Sequence, residues 1–420
     1  MARTYAWRRA AFATLVVATA FACTEKVMAP GRCPDLCPAD SLQIVDTVIT
    51  GVVFGDTSVR GYTRVDQAPI LVVANQDSFK AHALIRFAAM PKLWIDSVGD
   101  SISFGGVDSV VLLMRLAARD TAAKNLRVLV YRVPGDTLDS TTTYTSSLPW
   151  FTGGHFLDSV PVADTLVVAD LHRCWKAVAD TSCADFSQIS SLIPDTVKAD
   201  TLFPGLGLDV RADSQTVAVV SATDFTAVPA HLKFYVHGAA PLDSAHTVFD
   251  LTPLFDTYVQ TPDPPVIAPQ TLVMGNQPAA RAFVRFQIPA YYIDTVGVSR
   301  ATLLLTPSRA ARGFPHATFG LEALPILRFF GGKSLLIQDT TLIGKGTVTV
   351  GSAAVVSIEI GNILRVWKGT SPDSLPRALS IRVANELFET GQLDAFGSAG
   401  GANAPRLEIS FVRPLKFGVP

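Results

Sequence analysis

The chain of 420 residues carries little charge and almost no imbalance of sign: 35 Lys and Arg stand against 36 Asp and Glu, a net charge of −1, and charged residues make up 17% of the whole. Such a surface has no means of gripping a polyanion, so nucleic-acid binding is excluded as a main role. Long apolar runs are equally scarce. Ala10 to Ala22 is mainly apolar, but thirteen residues are too few to span a bilayer. Catalytic signatures are missing as well: there is no Gly-x-Ser-x-Gly elbow and no His-Glu-x-x-His pair, and the seven histidines are scattered. Gly331-Gly332-Lys333-Ser334 ends like a phosphate-binding loop, yet the glycine that would open one is Leu327. Cysteines number five, enough to staple a fold but not to replace its core.

What is present begins at the N-terminus. Arg3, Arg8 and Arg9 precede the apolar run, and Ala20-Phe21-Ala22 precedes Cys23, which reads as an export signal over residues 1–22. Ala20-Phe21-Ala22-Cys23 is similar to the lipobox of bacterial lipoproteins, with Ala20 where Leu is usual; the resemblance implies that Cys23 becomes the lipidated first residue. An ordinary secretory cut after Ala-x-Ala is the alternative. Thr24 to Asp40 is polar and contains proline, as a tether does, so 23–42 is read as the anchor and its tether. By analogy with those lipoproteins, Thr24 in place of an Asp after the cysteine argues against retention at the inner membrane, so an outer-membrane lipoprotein facing the periplasm or the outside is expected. Setting Cys23 aside leaves Cys33, Cys37, Cys174 and Cys183, which allow three pairings. Cys33 with Cys37 and Cys174 with Cys183 would close the shortest loops, a ten-residue loop contributing about 2–3 kcal/mol.

After this segment the apolar residues come in short runs bounded by Asp-Ser or Asp-Thr, the punctuation of many strands. Leu126 to Val133 alternates, Val217 to Val220 is apolar, and Thr347 to Val350 is β-branched throughout. Sliding the chain against itself by 190 to 200 residues reveals a duplication. Phe54-Gly55-Asp56-Thr57 answers Phe255-Asp256-Thr257, and Asn75-Gln76 answers Asn276-Gln277. Ile85-Arg86-Phe87 answers Val284-Arg285-Phe286, and Val111 to Met114 answers Thr302 to Leu305. Asp170 to Lys176 matches Asn362 to Lys368, and each copy closes on a strand, Leu232 to Val236 and Leu407 to Phe411. Two homologous domains are expected, 43–240 and 243–420. Both Asp170 to Lys176 and Asn362 to Lys368 open on a capping Asp or Asn and space Leu171, Cys174 and Trp175, or Ile363, Val366 and Trp367, as a helix does. The fold class is therefore all-β, two tandem jelly-roll-like β-sandwiches, each with one short helix.

The second copy resembles the DNRLRE-type domains of secreted bacterial proteins, which belong with the carbohydrate-binding modules. Asp256-Thr257-Tyr258-Val259, the stretch Arg281 to Pro289, Ala301 to Leu305, Ala404 to Leu407 and the helix with Trp367 carry the likeness. It implies a jelly-roll sandwich, extracellular placement and, in some members, polysaccharide binding. The hexapeptide that names the family is absent, and the first copy diverges.

Sugars are bound by flat rings exposed beside polar groups, and Trp94, Trp150, Phe151, Tyr291, Tyr292, Phe329 and Phe330 are the candidates, each with core or loop packing as the plainer alternative. Arg86 and Arg285, each next to an inward Phe, are expected on the opposite sheet face, tying strands. His231 and His237 read as satisfied surface groups, and the Asp-Ser and Asp-Thr pairs as turn caps, with a structural Ca²⁺ as an alternative use of the latter. The expectation is an envelope-anchored, non-enzymatic protein that binds a glycan. A structural or adhesive role with a protein partner is the alternative, and a glycoside hydrolase or lyase a more distant one.

Overall fold

The computed structural model describes residues 44–413 apart from 63–67, 78, 97, 177–182, 190–191, 193–203, 223–229, 262–266, 276–278, 330–335 and 372–374. Asp46–Phe411 is one compact unit. The strands of the first half are β1 (Ile44–Ile49), β2 (Val53–Arg60), β3 (Ile70–Gln76), β4 (Phe79–Phe87), β5 (Leu93–Ile95), β6 (Ser101–Arg119), β7 (Arg127–Pro134), β8 (Phe156–Pro161), β9 (Ala169–Lys176), β10 (Ala184–Asp185), β11 (Pro204–Arg211), β12 (Thr216–Ser221) and β13 (His231–Gly238). Those of the second are β14 (His246–Leu251), β15 (Pro253–Gln260), β16 (Thr271–Gly275), β17 (Ala280–Phe286), β18 (Gly297–Leu305), β19 (Thr318–Phe329), β20 (Leu336–Gln338), β21 (Gly344–Thr349), β22 (Val356–Glu359), β23 (Ala378–Val383), β24 (Gln392–Phe396) and β25 (Arg406–Val412). Among the described residues two short α-helices join them, α1 (Tyr144–Ser147) and α2 (Gly361–Trp367). Among the described residues no helix is long and apolar enough to cross a membrane.

The all-β expectation holds: the strands form two curled sheets, each closing into a jelly-roll-like sandwich. The first is ordered β10-β9-β6-β12-β3-β4-β11-β7-β8 and the second β1-β25-β18-β22-β21-β19-β23-β17-β16-β24. Alternation drives the burial. In β7, Val128 and Val130 are fully buried; in β18, Ala301, Leu303 and Leu305 are. The β3 run Leu71-Val72-Val73 is buried on both faces. Burying such side chains contributes about 1.5–3 kcal/mol each before the entropy of ordering them is subtracted.

Repeat and sheet are out of step. β2, the opening strand of the first copy, pairs with β17 in the second sheet, while β15, its counterpart in the second copy, pairs with β4 in the first. The registers are equivalent. Asp56 lies opposite Val284 and Thr57 opposite Phe283; Asp256 lies opposite Ile85 and Thr257 opposite Leu84. The flanking backbone bonds repeat too: Gln287 N donates to Val52 O at 2.7 Å and Ala88 N to Thr252 O at 3.1 Å. Each sheet is thus completed by an arm from the other copy, and the first sheet draws its strands from one continuous stretch, Ile70 to Gln260.

One sequence expectation fails. Asn362 to Lys368 falls on helix α2, whose Trp367 is fully buried against Phe286, but Asp170 to Lys176 is strand β9, not a helix. Strand geometry puts Arg173 and Trp175 on one face, where Arg173 Nε and Trp175 Nε1 both donate to Asp158 Oδ2, at 2.6 and 3.0 Å. In a helix they would point about 200° apart. Cys174, on the other face, reaches Cys183 in a disulfide with S–S 2.07 Å and Cα–Cα 4.6 Å, the local pairing. β9 pairs with β6 as β22 pairs with β18, so Val356–Glu359, not α2, occupies the equivalent place. Cys23, Cys33 and Cys37, with the whole signal and tether, lie outside the described residues.

Candidate functional site

Strand β17 divides its side chains cleanly. Ala282, Val284 and Phe286 face the core, while Arg281, Phe283 and Arg285 share the opposite face. The arm strand β2 lies against that edge, and its register slips between Gly55, opposite Arg285, and Val53, opposite Phe286. Phe54 is the extra residue of this bulge and is 59% exposed. Gly55 keeps the floor beside it low: a Cβ there would stand 3.8 Å from Arg285 Cδ. On the far side β23 brings Ala378 opposite Arg285, with Arg377 just before it.

Between these elements lies a cleft of about 690 Å³. Phe54, Phe283, Ile326 and Pro376 supply its apolar wall, and Arg285, Gln287 and Arg377 its polar groups. Arg377 is half-buried, and its Nε, shielded from solvent, has no hydrogen-bond partner among the described residues. Asp56, on the same wall, is engaged elsewhere: its carboxylate accepts from Ser398 N at 2.7 Å and Ser398 Oγ at 2.8 Å. The cleft therefore combines an exposed ring, two guanidiniums and an amide over an apolar floor, suited to a flat polar ligand carrying negative charge.

The first sheet has the same bulge, with Leu254 of its arm strand β15 as the extra residue, 58% exposed, but its face is covered. Phe255 stands where the second sheet has Gly55, and the Arg86 guanidinium lies over its ring at 5.6 Å while donating to Leu138 O at 3.1 Å. The segment carrying α1 then packs Tyr144, Trp150 and Phe151 over Leu84 and Val133. Beneath it His82 is stacked between Phe151, 3.7 Å away, and Tyr144, 4.7 Å away. Burial holds the His82 imidazole neutral, its pKa down to about 4, with Lys80 adding repulsion. Burial also pushes the carboxyl of Asp209 up to about 6. Their closest approach, 3.9 Å, is too long for a hydrogen bond, so this is not an ion pair at neutral pH.

Of the aromatic candidates whose side chains are described, none lines the cleft. Trp94 is half-buried, edge-on to Phe249 at 5.8 Å; Trp150 and Phe151 cover the first sheet. Tyr291, 44% exposed, and Tyr292 sit edge-on to each other and to Phe411, a small aromatic cluster away from the cleft. Phe329 ends β19, its side chain outside the described residues, as is all of Phe330. The cleft residues missed by sequence reasoning are Phe54, Gln287 and Arg377; a bulge and a cross-copy pairing bring them together, and neither leaves a local signal. Arg285 was legible as an outward-facing residue only. His231 and His237 are satisfied on the surface, His231 Nδ1 by Asp250 at 2.7 Å and His237 Nδ1 by Asp108 at 2.8 Å. Asp96 Oδ1 accepts from the backbone N–H groups of Val98, Gly99 and Asp100, each at 2.9 Å, as a turn cap does. Among the described residues no group of three or more His, Cys, Asp or Glu side chains could hold a metal ion.

No family model matches the chain, and no curated protein matches it. Among solved structures, the "Structure of infectious bursal disease virus Gx strain" aligns over 92% of this chain and 81% of that one, at 9% identity and a TM-score of 0.10. A likeness that slight carries no argument.

Proposed function

We propose that the chain is an envelope-anchored, non-enzymatic lipoprotein whose two sandwiches are of the carbohydrate-binding-module kind, and that the cleft at the junction of β2, β17 and β23 binds a glycan. The observation that carries this reading is Phe54, a phenyl ring held out by a bulge beside Arg285, Gln287 and Arg377. Sugar rings stack on exposed aromatic faces while their hydroxyls and carboxylates take side-chain donors, and two guanidiniums favour an acidic sugar. Engagement of Asp56 by Ser398 supports binding over hydrolysis, since a catalytic carboxyl must be free to meet the glycosidic bond. The lipobox-like Cys23, the polar tether and the likeness of the second copy to DNRLRE-type domains support the same placement and class.

A second reading, adhesion to a protein partner, is favoured by the tip of the β5–β6 hairpin, where Leu93, Ile95 and Val98 are 53%, 69% and 82% exposed. A glycan array followed by titration separates the two. The expected outcome is saturable binding of an acidic oligosaccharide, weakened about tenfold or more by Phe54→Ala and by Arg377→Ala in variants that still melt cooperatively. A blank array, or binding that both variants retain, would leave the adhesive role in front.

A further inference from the structure

The arm strand β2 is bound to one sandwich and leads directly into the other. Its ladder runs along β17 from Arg60 opposite Ala280 to Val53 opposite Phe286. Gly61 N and Tyr62 N both donate to Ala279 O, at 3.1 and 3.3 Å. Ser58 Oγ accepts from Val273 N at 2.8 Å, 215 residues away in sequence, and Asp56 accepts from Ser398, 342 residues away. Tyr62 closes the row, with the Arg281 guanidinium 4.2 Å over its ring. Residues 61–69 then join the arm to β3, which lies in the first sheet.

Three observations make such an arm exchangeable. The first is how little apolar surface it buries. Of residues 46–62 only Val52 and Val53 are buried, while Phe54 and Thr57 are exposed, so the hold is mainly a backbone ladder with a few polar contacts. The second is the tolerance of the edge. β15 docks on β4 in the register of β2 on β17, although Val53–Arg60 and Pro253–Gln260 share only the Asp-Thr pair and one Val. The third is an exchange already present. As the repeat defines the copies, β2 of the first completes the second and β15 of the second completes the first, the arrangement of a swapped dimer closed within one chain. The two arms differ in how they are tied. β15 reaches its edge by continuous chain from β13 through β14, which is itself paired to β13, whereas the backbone between β2 and β17 runs through the whole first sandwich.

We infer that the edge of β17 is an interaction surface for a second copy of this chain, two chains trading their β2 arms reciprocally. The contacts between arm and edge are all kept, made between chains instead of within one, so the trade costs little beyond bringing the chains together. Gly61, at φ 98°, is the turn where the two paths part. The cleft then becomes shared, with Phe54 from one chain and Arg285, Gln287 and Arg377 from the other. The trade stands whatever the cleft binds.

The test is the mass of the full chain by light scattering over a dilution series, with and without an excess of the peptide of residues 46–61. The expected result is a doubled mass at high concentration that falls back to that of one chain when the peptide takes the edges. A single-chain mass throughout, or a doubled mass that the peptide leaves intact, would overturn the inference. Oxidation of an equimolar mixture of Ser58→Cys and Ala282→Cys chains locates the contact, since those residues lie opposite each other. A disulfide mapped between position 58 of one chain and position 282 of the other is expected. Its absence from the mixture, while a chain carrying both substitutions closes the bond within itself, contradicts the trade as well.

Discussion

The buried pair His82 and Asp209 shows how single residues set the pH response of this protein. The folded chain holds the Asp209 proton up to about pH 6, whereas the unfolded chain releases it near 3.8. The carboxylate therefore costs stability as pH rises between those values, about 3 kcal/mol in full above them. Asp209→Asn is expected to raise the melting temperature at pH 8 and to have no effect below pH 4, a difference read from melts at three pH values. His82 acts on the acid side. Its folded pKa of about 4 lies below the ordinary 6.5, so its stability contribution is intact above 6.5 and is lost as pH falls towards 4. His82→Gln should flatten that loss. Neither residue stands out in the sequence, because what buries them includes a lid of Tyr144 and Phe151, about sixty residues after His82 and about sixty before Asp209. The turn caps, by contrast, were legible: Asp139 and Asp339 each bond the Thr two residues on, at 2.8 Å to its N–H, a contact that local sequence alone can specify.

At the scale of elements, strands announced by alternation or β-branching formed where the pattern put them, and β7, β12, β13, β21 and β25 are all found. β9 did not read as a strand because Leu171, Cys174 and Trp175 also fit a helical stripe, and only tertiary partners decide between the two. Asp158 is the decisive partner. Asp158→Ala removes the acceptor of both Arg173 Nε and Trp175 Nε1 and is expected to cost about 3 kcal/mol, measured by denaturant unfolding, with Asp158→Asn costing less. The arms make a second point. Duplication was visible in the residues, but equivalent registers allow each arm to sit on either copy, and sequence similarity cannot say which it takes. A chain lacking residues 1–61 should expose the edge of β17 and lose cooperative melting of the second sandwich. A peptide of residues 46–61 added in trans is expected to restore it, as edge strands are filled by β-augmentation. Failure of that peptide to bind would place the stabilising contacts outside the arm.

For the molecule as a whole, crossing of the arms ties the proposed function to assembly. The wall of the cleft is built from β2 of one copy and β17 of the other, so the cleft proposed to take a glycan exists only when the second sandwich has received its arm. The first sheet, with Phe255 of its arm in place of Gly55 and its lid closed over Leu84, keeps the architecture and fills the equivalent place with side chains. Divergence between the two sheets therefore leaves one face closed and one open. Fold class could be read from the residues because strand punctuation is local; the cleft could not, because its parts are over two hundred residues apart in sequence.

Hydrogen–deuterium exchange of the full chain, with and without an acidic oligosaccharide that it binds, tests this account most directly. Added protection in Val53–Arg60 together with Ala280–Phe286 is the expected result, since those two strands carry the wall that the sugar would cover. Protection confined to the β5–β6 hairpin around Trp94, or to the Tyr291–Tyr292 cluster, with both of those strands unchanged, would contradict it.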